Sequence, residues 1–207
     1  LSTRALLLLL LVTRAFAKEE PYGRFQFTFY WVAAEREARG KPDAYIANIY
    51  DQTCAILGRT TLAFLRNLAL EGTGELDDGR VLNFDARCAC GWVGVPCFRE
   101  ITDRWGIGVE GRRLRPFRSV ASDPGVVPTG TVLYIPDLDG LEMPGEAPWG
   151  GFVHDGCVVA DDRGSAIGGA QLDFFVGRKD FYKEIDKRLH RPMVGVYGGD
   201  EHCQVQR

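Results

Sequence analysis

Val153–Phe175 reads VHDGCVVADDRGSAIGGAQLDFF. An apolar run, Cys157–Ala160, ends on two adjacent carboxylates, Asp161 and Asp162. A small-residue loop, Gly164–Gly169, follows, and Leu172-Asp173-Phe174-Phe175 sets one more acid among bulky apolar neighbours. Strands turn alternate side chains to opposite faces, so Asp173 points either to solvent or into a polar pocket. Glycines after a strand let another chain segment or a ligand come close. The stretch reads as two strands joined by a Gly-rich connection that brings Asp162 and Asp173 near each other. A solvated turn fits the same Asp-Asp-before-Gly pattern, and the wider chain has to separate the two readings.

Working outward, Phe117–Ile135 reads FRSVASDPGVVPTGTVLYI. Asp123-Pro124-Gly125 and Pro128-x-Gly130 are turns, and Thr131–Ile135 is a β run. Asp137–Gly150 is rich in acids, glycines and prolines and reads as an inserted surface loop. At the start of the chain, Phe25, Phe27 and Phe29 alternate with polar residues over Arg24–Val32, which is strand period. Tyr45–Tyr50, Gly79–Phe84 and Pro192–Tyr197 are further strands. Thr60–Leu70 reads as a helix with Thr60 as its cap and Gly72 and Gly74 as its stop. Arg178–Leu189 reads as a second helix with Phe181, Tyr182, Ile185 and Leu189 on one face. Many short strands, two modest helices and frequent Gly and Pro turns imply one compact, mainly β domain, a sandwich or a barrel.

The 207 residues suffice for one domain with a real core, and 45% apolar with 26% charged residues is an ordinary globular composition. A net charge of −3 argues against a general nucleic-acid or anionic-membrane binder. Arg4, the apolar run Ala5–Val12 and Ala15-Phe16-Ala17 have the layout of an export signal. The run is too short to span a bilayer. Residues 1–17 are therefore expected to be removed, leaving a domain over 18–207 that starts at Lys18, is exported to the periplasm or cell wall, and has no stable membrane insertion. The six cysteines, Cys54, Cys88, Cys90, Cys97, Cys157 and Cys203, fit up to three disulfides in an oxidising compartment. Ala86–Phe98 reads as a disulfide-pinned loop. A metal site on Cys88, Cys90 and Cys97 lacks standard zinc spacing, so no metal is expected.

The chain has no Gly-x-Ser-x-Gly, phosphate loop or His-Glu-x-x-His, and no Cys–His pair outside the expected disulfides. Acid–base chemistry by carboxylates remains, and its commonest use is the cleavage of glycosidic bonds. Three acids stand out by context: Asp123 in a Ser-Asp-Pro turn, Asp162 at a strand end and Asp173 inside a strand. A carboxylate acts as an acid near neutral pH only if burial or a neighbouring carboxylate raises its pKa.

These residues resemble the 3D domain, named for three aspartates and related to the catalytic barrel of membrane-bound lytic transglycosylase A. The resemblance rests on Val120-Ala121-Ser122-Asp123-Pro124, on Pro128-x-Gly130-Thr131-x-x-Tyr134-Ile135-Pro136, on Ala160-Asp161-Asp162-x-Gly164-x-Ala166-Ile167-x-Gly169 and on Leu172-Asp173-Phe174-Phe175. It is strong over residues 114–176, and Phe27–Tyr30 also looks like the family's first barrel strand. Two departures are Arg163 for the usual Thr and Ser165 for a Gly. An inward-turned Arg163 would lower the pKa of Asp162. The chain also lacks room for the second domain that clamps the glycan in the transglycosylase.

The resemblance implies a six-stranded double-psi β-barrel with short flanking helices. It implies peptidoglycan glycan strands as the partner, with no cofactor. Its reaction is lytic cleavage between N-acetylmuramic acid and N-acetylglucosamine to a 1,6-anhydro product. Asp162 would be the single acid and base, and Asp123 and Asp173 would raise or orient it. Thr28, Tyr30, Gly164 and Ala166 would bind substrate; by residue type alone, Trp31, Trp92, Trp105 and Trp149 suit either stacking on sugars or anchoring core and loops. Asp161, facing the other way, would be dispensable. The alternatives are a non-catalytic wall-binding module and a β-1,4-glucan hydrolase of the same barrel type, which needs two acids across a groove.

Overall fold

A computed structural model describes residues 21–40, 45–91, 94–199 and 202–203; the leader over residues 1–17 and Trp92 lie outside them. β1 (Pro21–Trp31) runs through Val32 into β2 (Ala33–Ala34). The hairpin of β3 (Ile46–Tyr50) and β4 (Ile56–Thr61) leads into α1 (Leu62–Glu71). Then come β5 (Thr73–Glu75), β6 (Val81–Ala86), β7 (Cys97–Ile101), β8 (Ser119–Ser122), β9 (Val132–Tyr134), β10 (Cys157–Asp162) and β11 (Gln171–Gly177). α2 (Lys179–Leu189) and β12 (Met193–Gly198) close the fold. The chain is mainly β with two helices.

Six strands hydrogen-bond in a closed ring, β1-β11-β8-β10-β9-β12 and back to β1. Pairing is parallel at β1/β11 and β8/β10 and antiparallel elsewhere. β8 lies between β10 and β11, so the two strands of the acid-rich stretch are next-but-one neighbours rather than a directly paired unit. Alternation explains the ring's interior. Phe25 and Phe27 from β1, Val120 from β8, Val158 and Ala160 from β10, and Leu172 and Phe174 from β11 are all buried in one core. Leu138 and Met143 join that core. The loop Asp137–Gly150, read as a surface insertion, is therefore anchored inward at Leu138 and Met143, with Leu141 packed against the same core. α2 covers the same core with Ile185 and Leu189 buried and Phe181 and Tyr182 partly buried.

Residues 33–101, between two strands of the ring, hold a core of their own. β2, β5, β6 and β7 form one sheet, β3 and β4 another, and α1 packs Leu62, Phe64, Leu65 and Leu68 beneath them. Burying such side chains stabilises by about 1.5–3 kcal/mol each. The cap of α1 is Thr61, whose hydroxyl accepts from the Phe64 N–H at 3.2 Å; Thr60 is still in β4, buried, and donates instead to Glu35. Gly72 ends the helix at φ 77°, a left-handed conformation that suits glycine.

Disulfides join Cys54 to Cys90, Cys88 to Cys97, and Cys157 to Cys203. The sulfurs of Cys88, Cys90 and Cys97 do cluster, but each is held in a disulfide and offers no thiolate. Among the described residues, no helix is long and apolar enough to cross a membrane.

Candidate active site

Strand register brings the acids together. Asp173 pairs with Thr28 on β1 and with Ala121 on β8, and Ala121 pairs with Asp162 on β10. Thr28, Asp173, Ala121 and Asp162 thus form one row across four strands. The inward residues flanking this row belong to the ring's core, so the row faces outward. Tyr30, two residues beyond Thr28 and on the same face, donates its hydroxyl to Asp162 Oδ2 at 3.2 Å. Tyr30, Ala121 and Phe175 pack there with Trp105, and Trp149 and Ile167 close over them.

Asp162 reaches this face because β10 bulges. Ala160 pairs with Val120 and Asp162 with Ala121, so Asp161 is an extra residue opposite one step of β8. Simple alternation, which would send Asp161 and Asp162 to opposite faces, does not apply across the bulge. Asp161 is 3% exposed. It accepts from Arg112 Nε and from the Ser119 hydroxyl, each at 2.7 Å, with Arg115 at 3.8 Å. The loop bearing Arg112 seats directly on the bulge: a Cβ on Gly108 would lie 2.3 Å from the Asp161 carbonyl oxygen. Asp161 is thus a structural anchor, held by Arg112 and Ser119.

Burial pushes the Asp162 carboxyl up to about 6; the Arg163 backbone N–H, at 2.8 Å, and Tyr30 oppose the rise, and Asp161 and Asp173 add to it. The Arg163 side chain is exposed, so its effect on Asp162 comes through the backbone rather than through an inward guanidinium. Asp173 is also raised to about 6 by burial, against the nearby Thr28 hydroxyl, and its buried Oδ1 has no hydrogen-bond partner among the described residues. Asp162 in turn helps hold the Tyr30 hydroxyl well above its usual range, after burial, which is the main cause.

Asp123 behaves differently. Its Oδ2 accepts from Gly169 N–H at 2.8 Å and its Oδ1 from Gly125 N–H at 2.9 Å, and these bonds lower its pKa. It pins the loop that follows Asp162 to the turn after β8, and it is not among the groups that raise Asp162. Of the expected binding residues, Thr28 and Tyr30 stand in or beside the acid row. Ala166 is exposed on the loop, and Gly164 gives room to Ile167, whose Cγ1 would lie 2.7 Å from an added Cβ. Trp105 and Trp149 meet edge to face at 5.8 Å beside the row, whereas Trp31 stacks on Tyr182.

One acid escaped the sequence reading. Glu71 ends α1 and reaches β1, where its Oε2 accepts from the Trp31 N–H at 3.1 Å. A register shift between Tyr30 and Trp31 leaves that N–H available. Burial pushes Glu71 up to about 8; the Trp31 bond and Lys179 oppose this, and Asp173 and Glu37 add to it. The helix dipole works in the same direction, because α1 ends there without a basic residue in its last turn. Its only trace in the sequence is an acid immediately before the helix-ending Gly72, where a cation would be expected.

Residues 118–186 match the family model of the 3D domain. A search of curated proteins found no match. The structure is similar to Escherichia coli MltA with bound chitohexaose, at a TM-score of 0.55 and 17% identity over 86% of this chain and 72% of that one. A membrane-bound lytic murein transglycosylase from Agrobacterium tumefaciens gives 0.48 and 14%, over 85% and 73%. LtgG of Burkholderia pseudomallei gives 0.43 and 18%, over 84% and 70%. At such identities the likeness concerns the fold. Residues 118–186 are thus a 3D domain, carried by a chain whose fold is similar to that of the lytic transglycosylase MltA.

Proposed function

We propose that this chain is an exported peptidoglycan lytic transglycosylase and that its closed sheet is a double-psi β-barrel. The observation that carries the reading is Asp162. It is a carboxyl raised to about 6, held by Tyr30 on an outward row with Asp173 at the heart of the 3D domain. The chitohexaose bound to the E. coli neighbour supports a glycan as ligand.

In the proposed reaction, protonated Asp162 gives its proton to the oxygen linking muramoyl C1 to the next glucosamine. The C1–oxygen bond breaks and the glucosamine end leaves as an alcohol. The Asp162 carboxylate then takes the proton of the muramoyl C6 hydroxyl, and that oxygen bonds to C1. The 1,6-anhydro ring forms, no water is consumed, and Asp162 ends protonated as it began. Asp173 supports the protonated state of Asp162. Tyr30 fixes the carboxyl's direction, and Trp149 offers an aromatic wall for a sugar.

An inverting hydrolase would place its two acids on opposite sides of the sugar ring. Asp162 and Asp173 instead project from one face, two strand spacings or roughly 10 Å apart at the backbone. Mass spectrometry of products from digested sacculi tests the reading. Anhydromuropeptides are expected; reducing ends would mean hydrolysis, and binding without products would mean a wall-binding module.

A further inference from the structure

Two residues beyond Tyr30 and Phe175, Val32 and Gly177 line a cavity of about 420 Å³ together with Trp105. Its rim is crowded with charge. Three acids there are each matched by one cation: Glu75 by Arg36 at 3.2 Å, Glu37 by Lys179 at 3.9 Å and Asp180 by Lys183 at 3.1 Å. Two guanidinium groups remain. Arg104, stacked over Trp105 at 5.0 Å, and Arg178 have no carboxylate partner among the described residues.

Two further features favour an anion. α2 begins at this rim, and Arg178, in the N-cap position, gives no side-chain cap, so the helix presents unsatisfied N–H groups and the positive end of its dipole. Independently, Trp105 is only 5% exposed and its Nε1 has no partner among the described residues. The cavity rim thus carries a surplus of cations, and Trp105, packed on Tyr30 and Phe175, joins its wall to the acid row.

We propose that this cavity binds a carboxylate of the peptide stem carried by the muramoyl sugar at the cleaved bond, with Arg104 and Arg178 as its ligands. The inference rests on the peptidoglycan reading above. Reach supports it: Gly177 is four residues beyond Asp173 on β11, roughly 13 Å at ~3.3 Å per strand residue. About four residues of extended stem cover that span. A bidentate guanidinium suits a carboxylate better than a lysine ammonium does.

The test compares wild type with the double variant Arg104→Ala/Arg178→Ala on glycan strands with intact stems and on strands stripped of them. Wild type is expected to prefer stem-bearing strands in kcat/KM, and the double variant to lose about tenfold of that preference. Added salt should shrink the preference of wild type more than that of the double variant. The paired Arg→Lys variant should recover part of it. Melting temperature should change little, because among the described residues neither arginine is in an ion pair and the variant loses only the exposed stacking of Arg104 on Trp105. An unchanged preference overturns the subsite. Affinity for a purified muropeptide, read by calorimetry, keeps the two readings separate. If wild type yields no anhydro product, the lytic reading falls. The subsite then still stands if the double variant weakens muropeptide binding, and falls if affinity is unchanged.

Discussion

Two carboxylates meet at the bulge of β10, Asp161 and Asp162, and they have opposite surroundings. On one side, Asp161 sits between Arg112, Arg115 and Ser119, with both oxygens bonded. On the other, Asp162, Asp173 and Glu71 are buried without a guanidinium partner among the described residues, and the charge of Asp173 raises the pKa of both Asp162 and Glu71. Burial is shared by both sides; the partner is what differs. A buried carboxylate with a guanidinium beside it serves as a rivet, because removing it strands a charge. A buried carboxyl among other carboxyls keeps its proton to higher pH and becomes an acid.

The largest expected effect breaks the acid side at its centre. Asp162→Asn keeps the shape and the Tyr30 contact but has no proton to give. Anhydro-product formation should fall by about 10²–10⁴-fold, the usual worth of a general acid–base step, with little change in melting temperature. A variant as active as wild type removes Asp162 from the chemistry. In wild type, kcat/KM should decline as pH rises above about 6, because the reaction starts from the protonated carboxyl.

The next effect belongs to the other side and has a different signature. Asp161→Ala leaves Arg112 and Ser119 without their acceptor. Breaking a fully buried pair costs about 3–5 kcal/mol. Arg112 is 37% exposed, and water screens part of that loss. A destabilisation of about 2–3 kcal/mol is expected by chemical denaturation. If activity drops while stability does not, the contrast between rivet and acid is wrong.

The third effect is smaller. Asp173→Asn removes a carboxylate that adds to the raised pKa of Asp162, not the reacting group itself. A loss of about twofold to threefold at neutral pH is expected, with the high-pH decline of the profile moved to lower pH, because Asp173 is the smallest of the influences that raise Asp162. An unmoved decline would leave Asp173 as packing.

How much of this contrast was legible depends on sequence distance. The outward acid on β11 was readable because Leu172, Phe174 and Phe175 frame it locally, and the alternating Phe25, Phe27 and Phe29 marked β1. The choice of Asp162 over Asp161 came from motif register. The reason offered for it, strict alternation, fails at the bulge, and nothing in the sequence marks that bulge. β8 is four residues long between turns, and no local pattern says that it separates β10 from β11. Arg112 reaches Asp161 across 49 residues, a pairing that only the packed loop creates. Asp123 carried the motif's signature yet serves as a backbone clamp, because the same residue type suits a turn and a site equally well. Glu71 carried no local signal; its bond to the Trp31 N–H depends on where α1 sits in a core, 33–101, that composition alone did not separate.

Glu71 gives the smallest effect on catalysis and the finest probe of the acid side. At pH 7 it is already protonated, so Glu71→Gln replaces one neutral group by another, and its carbonyl still accepts from Trp31 N–H. Activity at that pH should change by less than about twofold. Stability is where the substitution shows. The folded carboxyl titrates near 8 and the unfolded one near 4.5, so within that window the native state binds a proton that the unfolded chain has lost. Stability therefore falls as pH rises through the window and levels off above about 8. Asp162 and Asp173 add their own slope of the same sign, but only up to about 6. Between about pH 6.5 and 8 the extra slope belongs to Glu71, and the Gln variant should be flatter there than wild type. Parallel melting-temperature curves over that interval would mean that Glu71 is already ionised at neutral pH, and that the acid side extends no further than β11.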